Sequence, residues 1–289
     1  LTVFIVQGGI KGGIERAGKW MMPALFIFFV LLAIRSLTLD GAIEGVKFMF
    51  VPDWSYLNME TLLNALGLAF FSLSVGVGAM ITYASYLPKS ETITSSAFNV
   101  AWMNIAISIL AGLVIFPAVF ALGYSPTQGP GLVFIILPAV FEQIPMGSVL
   151  VIVFFILLLF ATLTSSISLL EITVSVFVKE KYAARRKLSW IVGAVIFIAG
   201  IPSALSFGHW SHITIMDKSI FDFIDYMTAN VGMPLGALLF SLFAAYYYST
   251  KITQQELNLS PAMYWIWRAS VCVVAPVAIV TISLYNLFA

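Results

Sequence analysis

Charge is what this sequence most lacks. Only 9% of its 289 residues are Asp, Glu, Lys or Arg, against about 25% in ordinary soluble domains. By contrast, 61% of the residues are hydrophobic, and the mean hydropathy is +1.03. This composition excludes a soluble globular domain. The net charge of +1 also argues against a nucleic-acid partner, because nucleic-acid-binding surfaces are strongly basic.

Several other features are scarce or missing. Cys272 is the single cysteine and cannot form an internal disulfide. The two histidines, His209 and His212, have no other metal-ligand types clustered nearby, so we interpret them as surface residues. No phosphate-binding glycine loop, zinc-protease helix or nucleophile elbow is present, so we predict that the protein is not an enzyme. The sequence begins at Leu1 without a recognisable signal peptide, which suggests a truncated chain.

Long apolar runs dominate what is there. A membrane-crossing helix needs about 20 apolar residues, and seven runs are long enough to cross. Residues 1–7 resemble the tail of an eighth span. We therefore predict an all-α membrane protein built as a multi-span helical bundle. The seven runs are residues 19–39, 60–87, 96–122, 148–177, 188–207, 219–248 and 262–288.

The loops carry a strong charge asymmetry. If residues 8–18 are cytoplasmic, strict alternation places eleven of the basic residues inside and three outside. Such a bias fixes the orientation of a membrane protein, so the chain ends on the outside. The inner set is Lys11, Arg16, Lys19, Lys89, Lys179, Lys181, Arg185, Arg186, Lys187, Lys251 and Arg268; the outer set is Arg35, Lys47 and Lys218.

Two outer loops are long. Residues 40–59 are mixed in character, and we expect them to lie over the surface. Residues 123–147 have Pro and Gly around a hydrophobic centre that is too short to span the membrane and too apolar for water. We predict a re-entrant or lid-like hairpin packed into the outer vestibule, since irregular backbone at membrane depth must be buried in protein.

The middle of the 60–87 run is unusually polar, with the sequence FFSLSVGVG at residues 70–78. Each glycine weakens a helix by up to about 1 kcal/mol relative to alanine. A helix broken here would free carbonyl oxygens to coordinate sodium or an ammonium group. The alternative is close helix packing through small residues, and the pattern alone leaves both open.

Two further spans offer oxygen atoms. Ala161, Thr164 and Ser165 share one helix face, as do Asn104 and Ser108. A carbonyl and two hydroxyls suit a small hard cation, although each hydroxyl could instead bond to its own preceding turn, and Asn104 could merely bridge two helices. Oxygen ligands on three spans together favour a shared site for an ion and a solute.

Acidic residues within the spans are few. Asp222 and Asp225 lie at the outer end of the 219–248 run, where they could form an outer gate or simply a favourable helix N-terminus. Glu171 lies toward the cytoplasmic end of its span, and we expect it to face the bundle because charged groups in hydrocarbon are costly.

At these residues the chain resembles the neurotransmitter:sodium symporter family, in its bacterial amino-acid-transporter branch. The stretch at 12–39 is similar to the loop and fifth span of that family, and ALGLAFFSLSVGVGAMITYASYL (65–87) to its unwound sixth span. FATLTSSISLLE (160–171) resembles the eighth span and GIPSALSFG (200–208) the ninth. The resemblance covers the chain from the end of the fourth span through the eleventh.

The resemblance implies an inverted-repeat, five-plus-five sodium symporter fold that is N-terminally incomplete here. Residues 1–289 then form a single transmembrane transporter domain, with the second repeat at about 60–248, the last helix of the first repeat and a C-terminal span. The missing first span supplies half of both sodium sites in this family. Two sodium sites are thus expected, each incomplete, and we expect transport by the complete protein but not by this chain alone.

The resemblance also assigns roles to individual residues. The first sodium site takes Ser72 and Asn104, and the second takes Ala161, Thr164 and Ser165. The substrate-binding residues are Phe71, Ser72, Ser74, Val77, Ser165 and Leu169. The gating residues are Asp225, Phe71, Ser85 and Tyr86.

This sequence departs from the family at three points. Leu68 stands where chloride-dependent members have Gln. Ser108 matches the Ser of those members and stands where chloride-independent bacterial members often have an acid, so chloride dependence stays open. The small Val77 at a pocket position favours bulky hydrophobic or aromatic substrates. The acid expected at the inner end of the eighth span falls near Lys179-Glu180, with its register open by one residue.

The leading hypothesis is sodium-coupled symport of a neutral, hydrophobic or aromatic amino acid by alternating access. The expected location is the inner (plasma) membrane of a bacterium, as a multi-pass protein in the lipid bilayer, with the oligomeric state open. One alternative is a truncated, non-transporting membrane scaffold. Another is a proton-coupled relative of the same fold, for which Glu171 is the candidate carboxylate.

Overall fold

The structure, a computed structural model, describes residues 1–126, 133–134, 137–142, 146–178 and 184–288, with side chains as far as residue 285. Most of this part of the chain is helical. The helices are α1 (Thr2–Gln7), α2 (Glu15–Leu37), α3 (Ala42–Phe50), α4 (Met59–Ser72), α5 (Ala79–Ala84), α6 (Ile93–Ala121), α7 (Leu137–Glu142), α8 (Gly147–Val178), α9 (Arg185–Leu205), α10 (Ile220–Tyr226), α11 (Met233–Tyr246), α12 (Thr250–Leu257), α13 (Pro261–Ala269) and α14 (Ala275–Phe288).

Within the described residues, six helical rods are long and apolar enough to cross a membrane. Some of the rods contain wider π-helical turns, such as Met227–Gly232 between α10 and α11 and Ser270–Val274 between α13 and α14. The six rods coincide with six of the seven predicted runs, which confirms the all-α membrane class. They are Ile10–Leu37, Ile93–Ala121, Gly147–Val178, Arg185–Leu205, Ile220–Tyr246 and Pro261–Tyr285.

The seventh run, residues 60–87, is two helices rather than one. α4 ends at Ser72, a single 3₁₀ turn covers Val75–Val77, and α5 starts at Ala79. The break falls at the two serines and two glycines in which the sequence predicted a weakened helix. The interruption predicted for this span is therefore present in the structure.

Several helices begin at residues whose side chains cap the first turn. The side chain of Asn58 accepts a hydrogen bond from the Thr61 N–H at 2.8 Å. Ser260 caps α13 in the same way and is followed by Pro261 in the first turn. Such caps satisfy amide groups that have no partner inside the helix, so the helix starts are fixed locally by the sequence.

One compact unit comprises residues 1–54, 103–174 and 178–190. Its core combines α2, α6, α7 and α8, with residues such as Leu32, Val114 and Phe154 at most 4% exposed. The Ser36 hydroxyl donates a hydrogen bond of 2.8 Å to the Val114 carbonyl. This bond ties α2 to α6 inside the apolar core.

The two long loops contribute helices to this unit. Leu137, Val140 and Phe141 of α7 are fully buried, so this helix of the predicted 123–147 hairpin is packed into protein, whereas Phe134 and Met146 of the same loop are exposed. α3 lies in the 40–59 loop. Most of residues 40–59 are exposed, as expected, and α3 packs on α6, with the ring of Phe48 5.1 Å from that of Phe116.

The second compact unit comprises residues 55–102, 175–177 and 191–289. Its centre is α11, which packs against the 3₁₀ turn at Val75–Val77 and against α14. A two-stranded hairpin, β1 (Thr214–Ile215) and β2 (Lys218–Ser219), precedes α10. The break in the 60–87 run is thus held by α11 of the same unit.

Candidate functional site

At the break between α4 and α5, main-chain hydrogen bonds join residues three apart in the sequence instead of the four of an α-helix. The Ser74 N–H donates to the Phe71 carbonyl at 3.0 Å, and the Val77 N–H donates to the Ser74 carbonyl at 3.4 Å. Ser74 and Gly78 have positive φ angles of 51° and 87°. A left-handed residue ends a helical ladder, so the main chain from Leu73 to Gly78 departs from the helix and exposes carbonyl oxygens to neighbours other than its own turn.

Four predicted substrate residues lie on this break or beside it. Phe71 is 55% exposed and lines a cavity of about 280 Å³, together with Asn64, Gly67 and Asn230. Ser72 is the last residue of α4, Ser74 is the left-handed residue, and Val77 ends the 3₁₀ turn. Phe71 and Ser72 thus end α4, and Ser74 and Val77 lie in the irregular backbone that follows directly.

The cluster on α8 keeps its helix intact. The Thr164 hydroxyl donates to the Ala161 carbonyl at 2.8 Å, which is the back-bonding that the sequence left open as the simpler alternative. The same bond holds two of the three predicted oxygen atoms side by side. Ser165 and Leu169 lie one turn apart on the same helix, and both are exposed. The two predicted pocket residues of α8 are therefore not covered by other residues of their compact unit.

Asn104 and Ser108 lie one turn apart on α6. The Ser108 hydroxyl donates to the Asn104 carbonyl at 2.8 Å, which confirms that the two residues share a helix face. Asn104 is half-buried and Ser108 is exposed. The hydroxyl of Ser108 is thus engaged by its own helix, as the hydroxyl of Thr164 is.

The predicted gating residues occupy helix ends. Asp225 is exposed on α10, and its neighbour Asp222 accepts a hydrogen bond of 2.6 Å from the Ser219 hydroxyl at the start of that helix. Ser85 donates to the Thr82 carbonyl at 2.6 Å, and Tyr86 stacks edge-on with Tyr83.

Asp222 therefore belongs to the helix cap, the second of the two readings that the sequence left open. The predicted inner-gate acid near Lys179-Glu180 lies outside the described residues.

A buried ion pair is the feature that sequence reasoning missed. Glu171 is fully buried and Arg185 is 5% exposed, and the guanidinium of Arg185 pairs with the Glu171 carboxylate. The Arg185 Nε–H also donates to the Val6 carbonyl at 3.0 Å. From the sequence, we assigned Arg185 to the basic residues of an inner loop. A buried carboxylate requires a partner, and that requirement was the signal that could have identified Arg185.

A second set of contacts holds α1 against the same region. The hydroxyls of Thr2 and Ser166 lie 2.8 Å apart, and the Trp190 indole N–H donates to the Gln7 side chain at 3.0 Å. Phe4 packs edge-on against Trp190. α1, α8 and the start of α9 are therefore joined by polar bonds at both ends of α1.

A helical membrane protein with an interrupted span and hydroxyl-bearing faces on other spans has the features of a secondary transporter, in which broken helices line the binding site. The Sodium:neurotransmitter symporter family model matches the chain over residues 1–289. The chain therefore belongs to that family, and both the predicted family and the predicted fold class are confirmed. Because this is a family of symporters, the prediction that the chain is not an enzyme is confirmed as well.

Individual relatives agree with this assignment. The chain is 47% identical to the uncharacterized sodium-dependent transporter YhdH of Bacillus subtilis (strain 168), over 98% of this chain and 64% of YhdH. It is 39% identical to an uncharacterized sodium-dependent transporter of Haemophilus influenzae, over 100% of this chain and 64% of the relative. The structure is similar to the crystal structure of MhsT in complex with L-phenylalanine, with a TM-score of 0.89, 43% identity, and 98% of this chain and 65% of MhsT covered.

The chain thus spans about two thirds of the length of these relatives.

Proposed function

We propose that the complete protein is a sodium-coupled symporter of a neutral amino acid with a hydrophobic or aromatic side chain, and that it works by alternating access. The observation that carries this proposal is the break at Leu73–Gly78, with Phe71 beside a cavity of about 280 Å³. Irregular backbone is tolerated in a membrane where it lines a cavity or is packed in protein. In transporters, such breaks supply main-chain groups to ions and substrates.

Five residues of this chain are proposed to contribute to sodium binding. Thr164 and the Ala161 carbonyl already lie within hydrogen-bond distance, and with Ser165 they would form half of one site. Ser72 and Asn104 would form half of the other. Hard cations prefer oxygen ligands, and these groups are carbonyl, hydroxyl and amide oxygens. Each half-site requires further ligands from elsewhere in the complete protein, and chloride dependence is left open.

The substrate pocket is proposed to lie along the break. Carbonyls near Phe71 and Ser72, with the Ser74 hydroxyl, would hold the substrate ammonium group, and Phe71 would also close over it. Val77, Ser165 and Leu169 would line the side-chain pocket. The small Val77 leaves room for a bulky side chain, and the bound L-phenylalanine in MhsT supports an aromatic or large hydrophobic substrate.

Asp225 is proposed to serve the outer gate, and Ser85 and Tyr86 the inner one. Asp225 is exposed near the start of α10, where a basic partner from elsewhere in the protein could reach it. Ser85 and Tyr86 follow α5 directly, so movement of α5 would move both. In this arrangement the break between α4 and α5 lies between the two gates.

Proton coupling through Glu171 is disfavoured by its ion pair. Glu171 is fully buried, and its carboxylate is held by the guanidinium of Arg185. A proton carrier would have to exchange its proton with water on each side of the membrane, and a side chain with no exposed surface does not reach water. Sodium is therefore the favoured coupling ion.

The proposed location is the plasma membrane of a bacterium, the inner membrane where there are two. Bacterial relatives that are sodium-dependent transporters support it. We propose a single transmembrane domain in which residues of about 60–248 form the second inverted repeat. The eleven inner and three outer basic residues orient it with the loop before α2 in the cytoplasm.

The test is sodium-driven uptake by the complete protein in liposomes, with a panel of competing amino acids. Thr164→Ala and Ser72→Ala should each raise the sodium concentration for half-maximal uptake by about tenfold, since even indirect support of a metal ligand contributes ten- to hundredfold in affinity. Thr162→Ala is the matched control, because the Thr162 hydroxyl bonds to the Leu158 carbonyl on another face of α8.

Unchanged sodium dependence in both variants would overturn the sodium sites. Uptake that follows a pH gradient and ignores sodium would favour the proton-coupled alternative. No uptake of any amino acid would favour a membrane scaffold.

A further inference from the structure

The broken segment touches α11 main chain to main chain. Gly76 lies against the Met233 carbonyl, and the Gly76 carbonyl oxygen lies against the α-carbon of Gly236. A Cβ atom on either glycine would overlap these main-chain atoms. The two glycines are 160 positions apart in the sequence, so the approach is a property of the tertiary structure.

This contact restricts the segment more than a side-chain contact would. A side chain can change rotamer to make room, but a carbonyl in a helix such as α11 can move only with its helix. By contrast, few hydrogen bonds within the segment fix its conformation, because it forms only one 3₁₀ turn between two residues with positive φ. Its position therefore depends on α11.

The helix that receives the segment is itself irregular. The π-helical stretch Met227–Gly232 leads directly into α11, and its wider turns set the register in which Met233 and Gly236 face Gly76. π-helical stretches occur frequently at functional sites. Met233 also lines the cavity beside Phe71, so α11 meets the break at both the main chain and the cavity wall.

We propose that Gly236 is a positioning residue for the substrate site. Because Gly236 has no side chain, the Gly76 carbonyl can approach α11 closely. This approach fixes the residues on either side of Gly76, including Ser74 and Val77. The inference rests on the proposed function, in which Ser74 and Val77 meet the substrate. Gly236 itself does not touch the substrate.

The test compares Gly236→Ala with the unaltered complete protein in sodium-driven uptake of L-phenylalanine and L-alanine. The added Cβ must push the Gly76 carbonyl, and with it the Val77 wall, so the ratio of the two KM values should change by at least about fivefold. Because one methylene of a substrate changes discrimination in a hydrophobic pocket by roughly 10- to 200-fold, a displaced wall should be visible in this ratio. A purely structural loss lowers the amount of active protein and leaves this ratio unchanged.

Gly232→Ala is the matched control on the same rod. Its Cβ would meet the Met227 carbonyl oxygen at 3.5 Å, an ordinary contact, so both KM values should stay within about twofold of the unaltered protein, as for neutral surface changes. Equal KM ratios in Gly236→Ala and the unaltered protein would overturn the inference alone. Failure of the unaltered protein to transport would overturn the proposed function and the inference with it.

A second measurement covers a Gly236→Ala variant that does not fold. Hydrogen exchange of the unaltered protein, with and without sodium and L-phenylalanine, should show joint protection of peptides covering residues 73–78 and 227–236. Local opening energies report cooperative units, so elements that move together should be protected together. Protection of 73–78 with no change at 227–236 would contradict the coupling.

Discussion

Two apolar runs of similar character, at residues 60–87 and 148–177, carry polar residues in their middle, and they fold differently. The 148–177 run is the continuous helix α8, where the Thr164 hydroxyl bonds to the Ala161 carbonyl. The 60–87 run is interrupted, with Ser74 and Gly78 at positive φ. Serine and threonine alone therefore do not break a membrane helix. Where serines and glycines occur together, at residues 72–78, the helix is interrupted, and the interrupted segment packs main chain to main chain against α11.

The two regions also differ in the kind of contact that holds them in place. α8 has a buried ion pair toward its inner end, between Glu171 and Arg185, and a hydroxyl bond to α1 through Ser166. The break between α4 and α5 depends on its contact with α11 at Gly76 and Gly236. Both regions present oxygen atoms, but α8 does so from a continuous helix, whereas the break does so from main chain that lies outside any α-helix and packs against α11.

Removing the ion pair of α8 is the largest expected effect. Arg185→Ala removes the guanidinium that pairs with the fully buried Glu171 carboxylate, and breaking a buried ion pair costs about 3–5 kcal/mol of unfolding free energy. The measurement is chemical unfolding of the purified protein in mild detergent. Arg186→Ala is the matched control, because Arg186 is exposed and its loss should change stability by less than about 0.5 kcal/mol.

A double variant sharpens the same comparison. Glu171→Leu combined with Arg185→Met should recover most of the lost stability, since apolar replacements of buried ion pairs are often neutral or stabilising. If Arg185→Ala and Arg186→Ala lower the unfolding free energy by the same amount, the ion pair with Glu171 does not stabilise α8.

The break was predictable from the sequence because its cause is local. Two serines and two glycines within FFSLSVGVG lower helix propensity at a single point, and the resemblance to the family's sixth span places the same interruption there. The spans were predictable for a similar reason, since 20 or so apolar residues in a row have few other solutions. In each case, the residues that cause the structure are neighbours in the chain.

The partners were not predictable because they are distant in the chain. Nothing near Glu171 specifies that Arg185, assigned to a loop, returns to pair with it, and nothing near Gly76 points to Gly236. Side-chain burial and helix register decide both contacts, and these properties come from tertiary packing. The register of Lys179-Glu180 was open from the sequence and lies outside the described residues.

Replacing Gly78, at the end of the break, and Gly67, before it, by alanine should change the unfolding free energy in opposite directions. Gly78→Ala places a Cβ at φ 87°, which costs about 1–2 kcal/mol for a non-glycine residue. Gly67→Ala lies within the regular helix α4, where the added Cβ would only touch the Ile282 side chain at 3.8 Å, and it should stabilise by up to about 1 kcal/mol. Unfolding midpoints of the two variants measure this.

Equal signs for the two glycine variants would contradict the comparison. A stabilising Gly78→Ala would mean that the helix can continue through residue 78 at no cost, so that the break would be optional rather than built in. A destabilising Gly67→Ala would mean that α4 itself is under constraint well before the break begins at Ser72.

The smallest expected effect is that of Thr162→Ala on stability. The Thr162 hydroxyl is exposed and bonds to the Leu158 and Leu159 carbonyls of its own helix at 2.9 and 3.1 Å. Such back-bonding slightly weakens a helix, and alanine has the higher helix propensity. The unfolding free energy should therefore change by less than about 0.5 kcal/mol. A loss above about 1 kcal/mol, in the same detergent unfolding assay, would show that hydroxyls hold α8 together, and the contrast between its continuous helix and the glycine-dependent break would have to be abandoned.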